Sequence, residues 1–476
     1  MSERVSSGNE GLDEVIGGGF PRGSLILLAG NPGTGKTVFS TQFLVKGAES
    51  DEPGVYISFA EDKSLLVKNI SKHLRCDLKL LEDEGKIKIL DFVAVKDTGV
   101  SAALDLILRE VKNIKAKRLV IDSFTAMAQA FKELIDVRIV LHTVLNRIVR
   151  QMGCTSIIIE EVPFGESKIS LGVEEFVADS VVLLSTGEVN GLSFRELDLV
   201  KIRGTRLPQR KLIYTLEGGF RAFPPFEPKA VMEPKRLHPI PDPPEKYSTG
   251  SSDLDEILGG GVSKGSLMLL TLDEKVTTLQ YHLLIDPMAT NFVLQGRGLI
   301  DIPSCGADPF MFRKYFYTYG GTEKDFNRYV RIIETRSMSE PKPLPNLITL
   351  DGKDWREDLE KVFKTGNQLR METGHSILSI VGVDNIITTY GEEHCEEILN
   401  LTATGARRVD AAVVAIFRGG RKELSKIISS IADVHFHLTK ENGCLLLNHI
   451  KPGHALYIVE MDVLKGYPTP KLTPMV

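Results

Sequence analysis

Eight residues near the amino terminus, GNPGTGKT from Gly30 to Thr37, have the types and spacing that hold a polyphosphate. They fit GxxxxGK(S/T), with an apolar run, SLILLAG, before them and a helical pattern, TVFSTQFLVKGAES, after them. Glycines let backbone N–H groups converge on phosphate oxygens, and the following helix turns its positive end toward them. Lys36 is expected to reach the β- and γ-phosphates, and Thr37 offers a hard oxygen to Mg²⁺. The expected nucleotide contacts are therefore Asn31, Pro32, Gly33, Thr34, Gly35, Lys36, Thr37 and Val38, with ATP or ADP as ligand.

Carboxylates at the ends of neighbouring strands complete such a site. KRLVIDS places Asp122 after four residues of buried-strand character, where it can hold the metal's water shell alongside Thr37; an acid there can equally cap the helix begun by DSFTAM. YISFAED ends with Glu61 and Asp62, and Glu61 is the expected base that polarises the attacking water. Alternatively, the two acids only complement a helix dipole. In LDLVKIRGTRLPQR, Lys201 and Arg203 share one side of an extended segment. Cations so far along the chain suit a finger inserted into a neighbouring subunit's site, or else a solvated basic edge that discourages sheet pairing.

These residues need a scaffold that brings strand ends together. SLILLAG, GVYISFA, IKILDFV, KRLVIDS, TSIIIEE and DSVVLLS read as strands, several apolar on both faces, and they alternate with helical patterns, among them ELIDVRIVLHTVLNRIVRQM. The alternation predicts an α/β fold with a mostly parallel sheet flanked by helices. The preamble to the loop is also built twice. VSSGNEGLDEVIGGGFPRGSLILL at 5–28 aligns without a gap on YSTGSSDLDEILGGGVSKGSLMLL at 247–270. Closely spaced prolines between the copies favour an extended connector. The expected domains are 1–223, a connector at 224–246, and 247–476.

Composition narrows the functional classes. With 476 residues, 42% of them hydrophobic and 25% charged, the chain has the make-up of a soluble globular protein of two or three domains. A formal charge of −5 gives no overall basic field, so nucleic acid or anionic lipid needs a local patch. Five scattered cysteines without a CxxC pair indicate neither a disulfide framework nor a zinc site. The polar start MSERVSSGNEGLDE and the lack of a long apolar run predict no membrane span and a cytoplasmic location.

The stretches SSGNEGLDEVIGGGFPRGSLILLAGNPGTGKTVFSTQFL, ISFAEDKSLLVKN, IDS, GVEEFVADSVVLL and VKIRGT together resemble the KaiC family, and more broadly the archaeal KaiC-like and GvpD-like branch of RecA-superfamily ATPases. The resemblance covers residues 5–222 and implies a RecA-type fold that binds ATP at the cleft between adjacent subunits of a ring, commonly a hexamer. It implies that Lys201 and Arg203 reach across that cleft, and that Glu160 or Glu161 senses the γ-phosphate. One departure bears on rate: the family carries adjacent glutamates where this chain has Ala60 and Glu61, which implies either slow hydrolysis or partial compensation by Asp62 just beyond.

The second copy lacks the loop. TLDEKVTTLQYHLL replaces glycines with bulky residues, sets Asp273 and Glu274 where phosphates would come, and has no lysine before its threonines. SILSIVGVDNI lacks an acid at the place of Asp122, and LNHIKPGH, laid on LVKIRGTR, sets His449 and Lys451 at the places of Lys201 and Arg203. The expected architecture is therefore two tandem RecA-like domains, the second without a nucleotide, stabilising a ring or holding a partner protein. The stretch DPFMFRKYFYTYGGTEKDFNRYVRI either stacks bases or forms a small amphipathic core, the latter being the commoner use. The leading expectation is a slow, ring-forming ATPase that switches a regulatory or assembly platform, hydrolysing in the first domain only. The alternatives are a DNA-handling relative, for which PFGESKISLG at 163–172 is a poor funnel, and a switch that binds ATP but scarcely hydrolyses it.

Overall fold

A computed structural model describes the chain except for residues 1–2, 93–99, 129–146, 164–177, 306–310, 336–345, 419 and 476. Most of the expected helix ELIDVRIVLHTVLNRIVRQM and of the loop 163–172 lies outside the described residues. Contacts divide the chain into two compact units, one running to Pro225 and one starting at Phe226, with Asn442–Cys444 and Pro474–Val476 grouped with the first.

In the first unit, β1 (Arg4–Val5) and β2 (Phe20–Pro21) form a small ribbon. The main sheet comprises β3 (Leu25–Gly30), β4 (Gly54–Ser58), β5 (Ile87–Asp91), β6 (Arg118–Asp122), β7 (Thr155–Glu161), β8 (Ser180–Val189), β9 (Leu192–Ile202), β10 (Lys211–Thr215) and β11 (Arg221–Phe223). Its order is β11-β10-β9-β8-β3-β7-β6-β4-β5. The six strands from β8 to β5 in that order pair in parallel, while β9 to β11 add antiparallel hairpins at one edge. β3, β4 and β6 are buried along their whole length, as a sheet covered on both faces requires.

Two apolar clusters make those covers. Ile26, Leu28, Phe39, Phe43 and Tyr56 pack on one face, and Leu25, Leu27, Val55, Ile57 and Ile121 on the other. The alternation along β3 follows from the two-residue period of a strand. Arg118, at the start of β6, is buried to 2% exposure and is matched on all sides. Its guanidinium donates to Glu52 Oε2 at 2.6 and 2.9 Å and to the carbonyls of Ser6 and Phe43 at 2.9 and 2.7 Å. Burial pulls the Arg118 pKa down, and Glu52 offsets part of that.

The second unit repeats the plan. β12 (Lys246–Tyr247) pairs β13 (Val262–Ser263) in the register of the first ribbon. Its main sheet comprises β14 (Leu267–Leu272), β15 (Gly298–Ile302), β16 (Val330–Thr335), β17 (Leu347–Leu350), β18 (Ile377–Gly382), β19 (Ala412–Arg418), β20 (Val434–Glu441), β21 (Cys444–Lys451), β22 (Ala455–Asp462) and β23 (Thr469–Pro474). The order β17-β16-β15-β18-β19-β14-β20-β21-β22-β23 reproduces the first sheet strand for strand and adds β17 at one edge. The tandem RecA-like architecture with mostly parallel sheets is thus present in both halves.

Local chemistry explains why the preambles are alike. Helix α1 (Glu10–Val15) is capped by Asn9, whose side chain accepts from Leu12 N–H, and Asp13 accepts from Ser6 Oγ at 2.6 Å and Ser7 N–H at 2.9 Å. In the second copy Ser251 caps the helix Ser252–Ile257, and Asp255 accepts from Ser248 Oγ at 2.5 Å and Thr249 N–H at 2.7 Å. Gly19 and Gly261 both have φ of +117°, and a Cβ at either would meet a backbone oxygen at 2.1 or 2.3 Å. Only glycine fits there.

The proline-rich stretch is packed along the second unit. Lys235 N–H donates to Gly466 O at 2.9 Å, Leu237 N–H to Tyr319 O at 2.8 Å, and Ile240 N–H to Asn291 Oδ1 at 2.8 Å. The tethering follows from prolines that leave their neighbours' N–H groups free for donors outside a local helix.

Candidate functional site

Helix α2 (Lys36–Glu49) begins at Gly35, which has φ of +89°, and no side chain caps its first turn. Its leading N–H groups are therefore open to an anion. Gly33, at φ of +78°, has nothing within 4 Å of where a Cβ would stand. Gly30 is closely packed instead: a Cβ would meet Leu184 O at 2.6 Å. Other side chains pin the loop. Asn31 Nδ2 donates to the carbonyls of Val162 and Pro163 at 3.0 and 2.9 Å, Thr34 Oγ1 to Asn31 O at 2.8 Å, and Tyr214 OH to Thr34 O at 2.6 Å. Pro32 is exposed, whereas Val38 turns its side chain into the core and has only its backbone to offer a ligand.

Lys36 is buried within this loop. Its Nζ donates to Gly30 O and Asn31 O, each at 2.9 Å, so the ammonium is held at the loop's centre by carbonyls that a phosphate can displace. Burial lowers its pKa, and the charges of Glu161 and Asp122 work against that. Thr37 Oγ1 donates to Asp122 Oδ2 at 2.8 Å. Tyr56 OH donates to the same oxygen at 2.5 Å, and its own pKa is driven up by burial and by the Asp122 charge. The helix that follows β6 takes a side-chain bond from Ser123, whose Oγ accepts Ala126 N–H at 3.2 Å, while the Asp122 carboxylate accepts from Thr37 and Tyr56.

Glu61 follows β4, the neighbour of β6, with Ser58 opposite Asp122. Ser58 Oγ donates to Glu61 O at 2.5 Å and accepts Glu61 N–H at 3.1 Å, while Asn69 Nδ2 donates to Glu61 Oε1 at 3.3 Å. Helix α3 (Lys63–Leu74) is capped by Asp62, whose carboxylate accepts from Ser64 and Leu65 N–H. Asp62 is thus occupied by its helix, and the Glu61 carboxylate is held by Asn69 of the same helix. Glu160 is fully buried, and Glu161 donates its N–H to Thr125 Oγ1 at 2.9 Å. All these groups lie at the carboxyl ends of β3, β7, β6 and β4, where ligands of open α/β sheets bind.

Lys201 and Arg203 are elsewhere. β3 pairs Ile26 with Ser180 and Gly30 with Leu184, and β9 sets Ile202 opposite Ser180. The two cations are therefore level with the start of β3, four residues or roughly 13 Å from the phosphate loop at its other end. Lys201 Nζ donates to Ala178 O at 2.7 Å, and Arg203 Nη1 to Asp179 Oδ1 at 3.2 Å, which Arg150 Nη2 also approaches at 3.0 Å. Arg203's side chain is 55% exposed.

The second unit has a loop of equal length without the cradle. Its helix Thr278–Leu294 starts 242 residues after α2, so Thr278 stands for Lys36 and Leu279 for Thr37. Thr277, in the place of Gly35, has φ of −81°, and Gln280 Oε1 accepts its N–H at 2.9 Å. Carrying the sheet register from β14 through β19 to β18 sets Gly382 in the place of Asp122. Arg418 ends β19 where Glu161 ends β7.

One assignment is corrected. Lys451 Nζ donates to Ala432 O as Lys201 Nζ does to Ala178 O, so Lys451 takes the contact of Lys201, not that of Arg203. His449 is buried against Phe436, with ring centroids 4.7 Å apart, because the true correspondence is shifted by two residues. A two-residue slip preserves the facing of every side chain, so the strand pattern alone does not reveal it. Tyr56, Asn69, Thr125, Asp179 and Arg150 also escaped the reading of motifs. Their partners are distant in sequence, and only the hydroxyl of Tyr56 on an otherwise apolar strand hinted at a polar contact.

Comparison with known proteins follows the same outline. A family model described as KaiC ATPase matches residues 5–220. The chain is 34% identical over 272 residues to the circadian clock oscillator protein KaiC of Synechococcus elongatus, a match taking in 55% of this chain and 50% of that protein. It is 33% identical over 223 residues to a UPF0273 protein of Methanopyrus kandleri, covering 44% of this chain and 87% of that one. A crystal structure of a KaiC-like protein from Pyrococcus horikoshii OT3 is 40% identical and aligns in full with 47% of this chain, at a TM-score of 0.43. The match to the KaiC of Synechococcus elongatus spans half of that protein's length.

Proposed function

The chain belongs to the KaiC-like family of RecA-superfamily ATPases, and on that premise we propose that it is a slow, ring-forming ATPase whose one nucleotide site per chain lies in its first unit. The observation that carries this reading is the loop from Gly30 to Thr37, with Lys36 at its centre and Thr37 bonded to Asp122 at 2.8 Å. In this reading the open N–H groups of α2 and the Lys36 ammonium bind the phosphates, displacing the carbonyls that hold Lys36. Thr37 Oγ1 and Asp122 Oδ2 are hard oxygens on one spot, a donor set that fits Mg²⁺ held with several waters. The ion would neutralise charge on the β- and γ-phosphates. Glu61, oriented by Asn69, accepts a proton from the attacking water.

Lys201 and Arg203 are too far along the sheet to serve their own loop, which supports their use in a neighbour's site within a closed head-to-tail ring, a hexamer by family resemblance. Hydrolysis then couples to the fit between neighbours, as a regulatory or assembly switch needs. The second unit acts as scaffold and as a surface for a protein partner. Asp122→Asn tests the site directly. It is expected to remove most of the Mg²⁺ dependence of ATP affinity and to cut turnover about a hundredfold or more. Turnover near the wild-type rate would remove Asp122 from the site.

A further inference from the structure

The second unit replaces a neutral spot with ionisable groups. Laid on α2, the helix Thr278–Leu294 carries His282 in the place of Ser40 and Asp286 in that of Leu44. The sheet register sets Asp301 of β15 in the place of Tyr56. His282 Nδ1 is 2.8 Å from Asp286 Oδ1, and Asp286 and Asp301 are 3% and 8% exposed. Among the described residues Asp286 Oδ2 has no hydrogen-bond partner, and neither oxygen of Asp301 has one.

Two carboxyls with one imidazole leave the ionised cluster short of a positive charge. Uncompensated buried charge is costly. The His282–Asp286 pair lines two cavities. On one side is a pocket of about 20 Å³, where Asp301 and Ser304 join the wall. On the other is a chamber of about 550 Å³ walled by Phe226, Tyr315, Tyr317 and Tyr319, a volume in the range of ligand sites. The tyrosines come from the basic and aromatic stretch singled out in the sequence. Its Phe312, Phe316 and Phe326 form a buried core, while Tyr315, Tyr317 and Tyr319 line the chamber. The Tyr315 ring lies 5.2 Å from that of His282.

We propose that this chamber is a second ligand site that takes a small alkylammonium cation, its charge against Asp286 with Asp301 behind and its methyl groups against Tyr315, Tyr317, Tyr319 and Phe226. Aromatic faces attract such cations, and Asp286 Oδ2, the carboxylate oxygen not engaged by His282, completes the recognition. Anions are disfavoured by the two acids, and neutral apolar molecules leave the charge uncompensated.

Protonation gives the site a sign. Burial raises Asp301 to about 7 and raises Asp286. Burial pulls His282 down, but the charges of Asp286 and Asp301 outweigh it and its pKa is raised. The other charged groups nearby are Arg418 of β19, whose guanidinium lies over the Tyr281 ring at 5.5 Å, and the exposed Lys229 at the chamber wall. A bound cation favours ionised carboxyls, so affinity falls as pH drops below about 7.

The test is calorimetric titration of the full chain with choline, tetramethylammonium and butylammonium, and with 3,3-dimethylbutan-1-ol, the uncharged counterpart of choline. At least one cation is expected to bind about tenfold or more tightly than the alcohol at about pH 8, with the advantage shrinking at about pH 6. Asp286→Asn is expected to remove the advantage while circular dichroism shows a retained fold. If the alcohol binds as well as the cations, or none of the three binds at millimolar concentration, the proposal is overturned without reference to any variant.

Discussion

Lys36→Ala is expected to abolish ATP turnover, by about a thousandfold or more, and to leave the fold intact. The side chain is nearly buried at the centre of a loop whose other contacts are made by Asn31, Thr34 and Tyr214, so its loss removes charge without unpinning the backbone. A single preorganised donor aimed at developing charge contributes a hundredfold to a thousandfold or so, and Lys36 also binds the ground state. Steady-state phosphate release with a thermal melt of the same sample measures both halves of the expectation. Turnover within tenfold of the unaltered protein would remove the loop from the chemistry.

Arg203→Ala is expected to leave nucleotide affinity nearly unchanged while reducing turnover about a thousandfold, the scale at which an arginine supplied in trans acts. The guanidinium is half-exposed and, with Arg150, shares Asp179, a partner on its own chain that a neighbour's phosphate can outcompete. In the proposed ring, Lys36 and Arg203 come from different chains at each shared site, so mixing Lys36→Ala with Arg203→Ala subunits is expected to restore activity that neither has alone. Each mixed interface with an intact loop on one side and an intact arginine on the other is whole. No recovery despite demonstrated co-assembly would place Arg203 outside the site.

The strand-loop-helix placement of Gly30 to Thr37 and the position of Asp122 at a neighbouring strand end were legible in the sequence because both follow a strong local apolar pattern. The repeat was equally legible, since capping by Asn9 and Ser251 and the positive-φ glycines Gly19 and Gly261 leave little room for substitution. The expected alternation of strands and helices matches the sheet from β3 to β8, but it did not separate the parallel core from the antiparallel hairpins β9 to β11. Hairpin and crossover strands share the same two-residue period. In the second half, β15 and β16 occupy the places of β4 and β5, a correspondence that the motifs did not reveal. Strand position survives changes of side chain that erase sequence likeness. The roles of Tyr56 and Asn69 were hidden because each depends on a partner brought near only by folding.

The central claim is that a polyphosphate is gripped in one half of the chain. Equilibrium binding of ATP to the full chain, counted as nucleotides per chain, tests it most directly. One nucleotide per chain is expected, falling to none with Lys36→Ala and staying at one when Asp273 and Glu274 are both changed to Ala. A second nucleotide that survives Lys36→Ala would contradict the account.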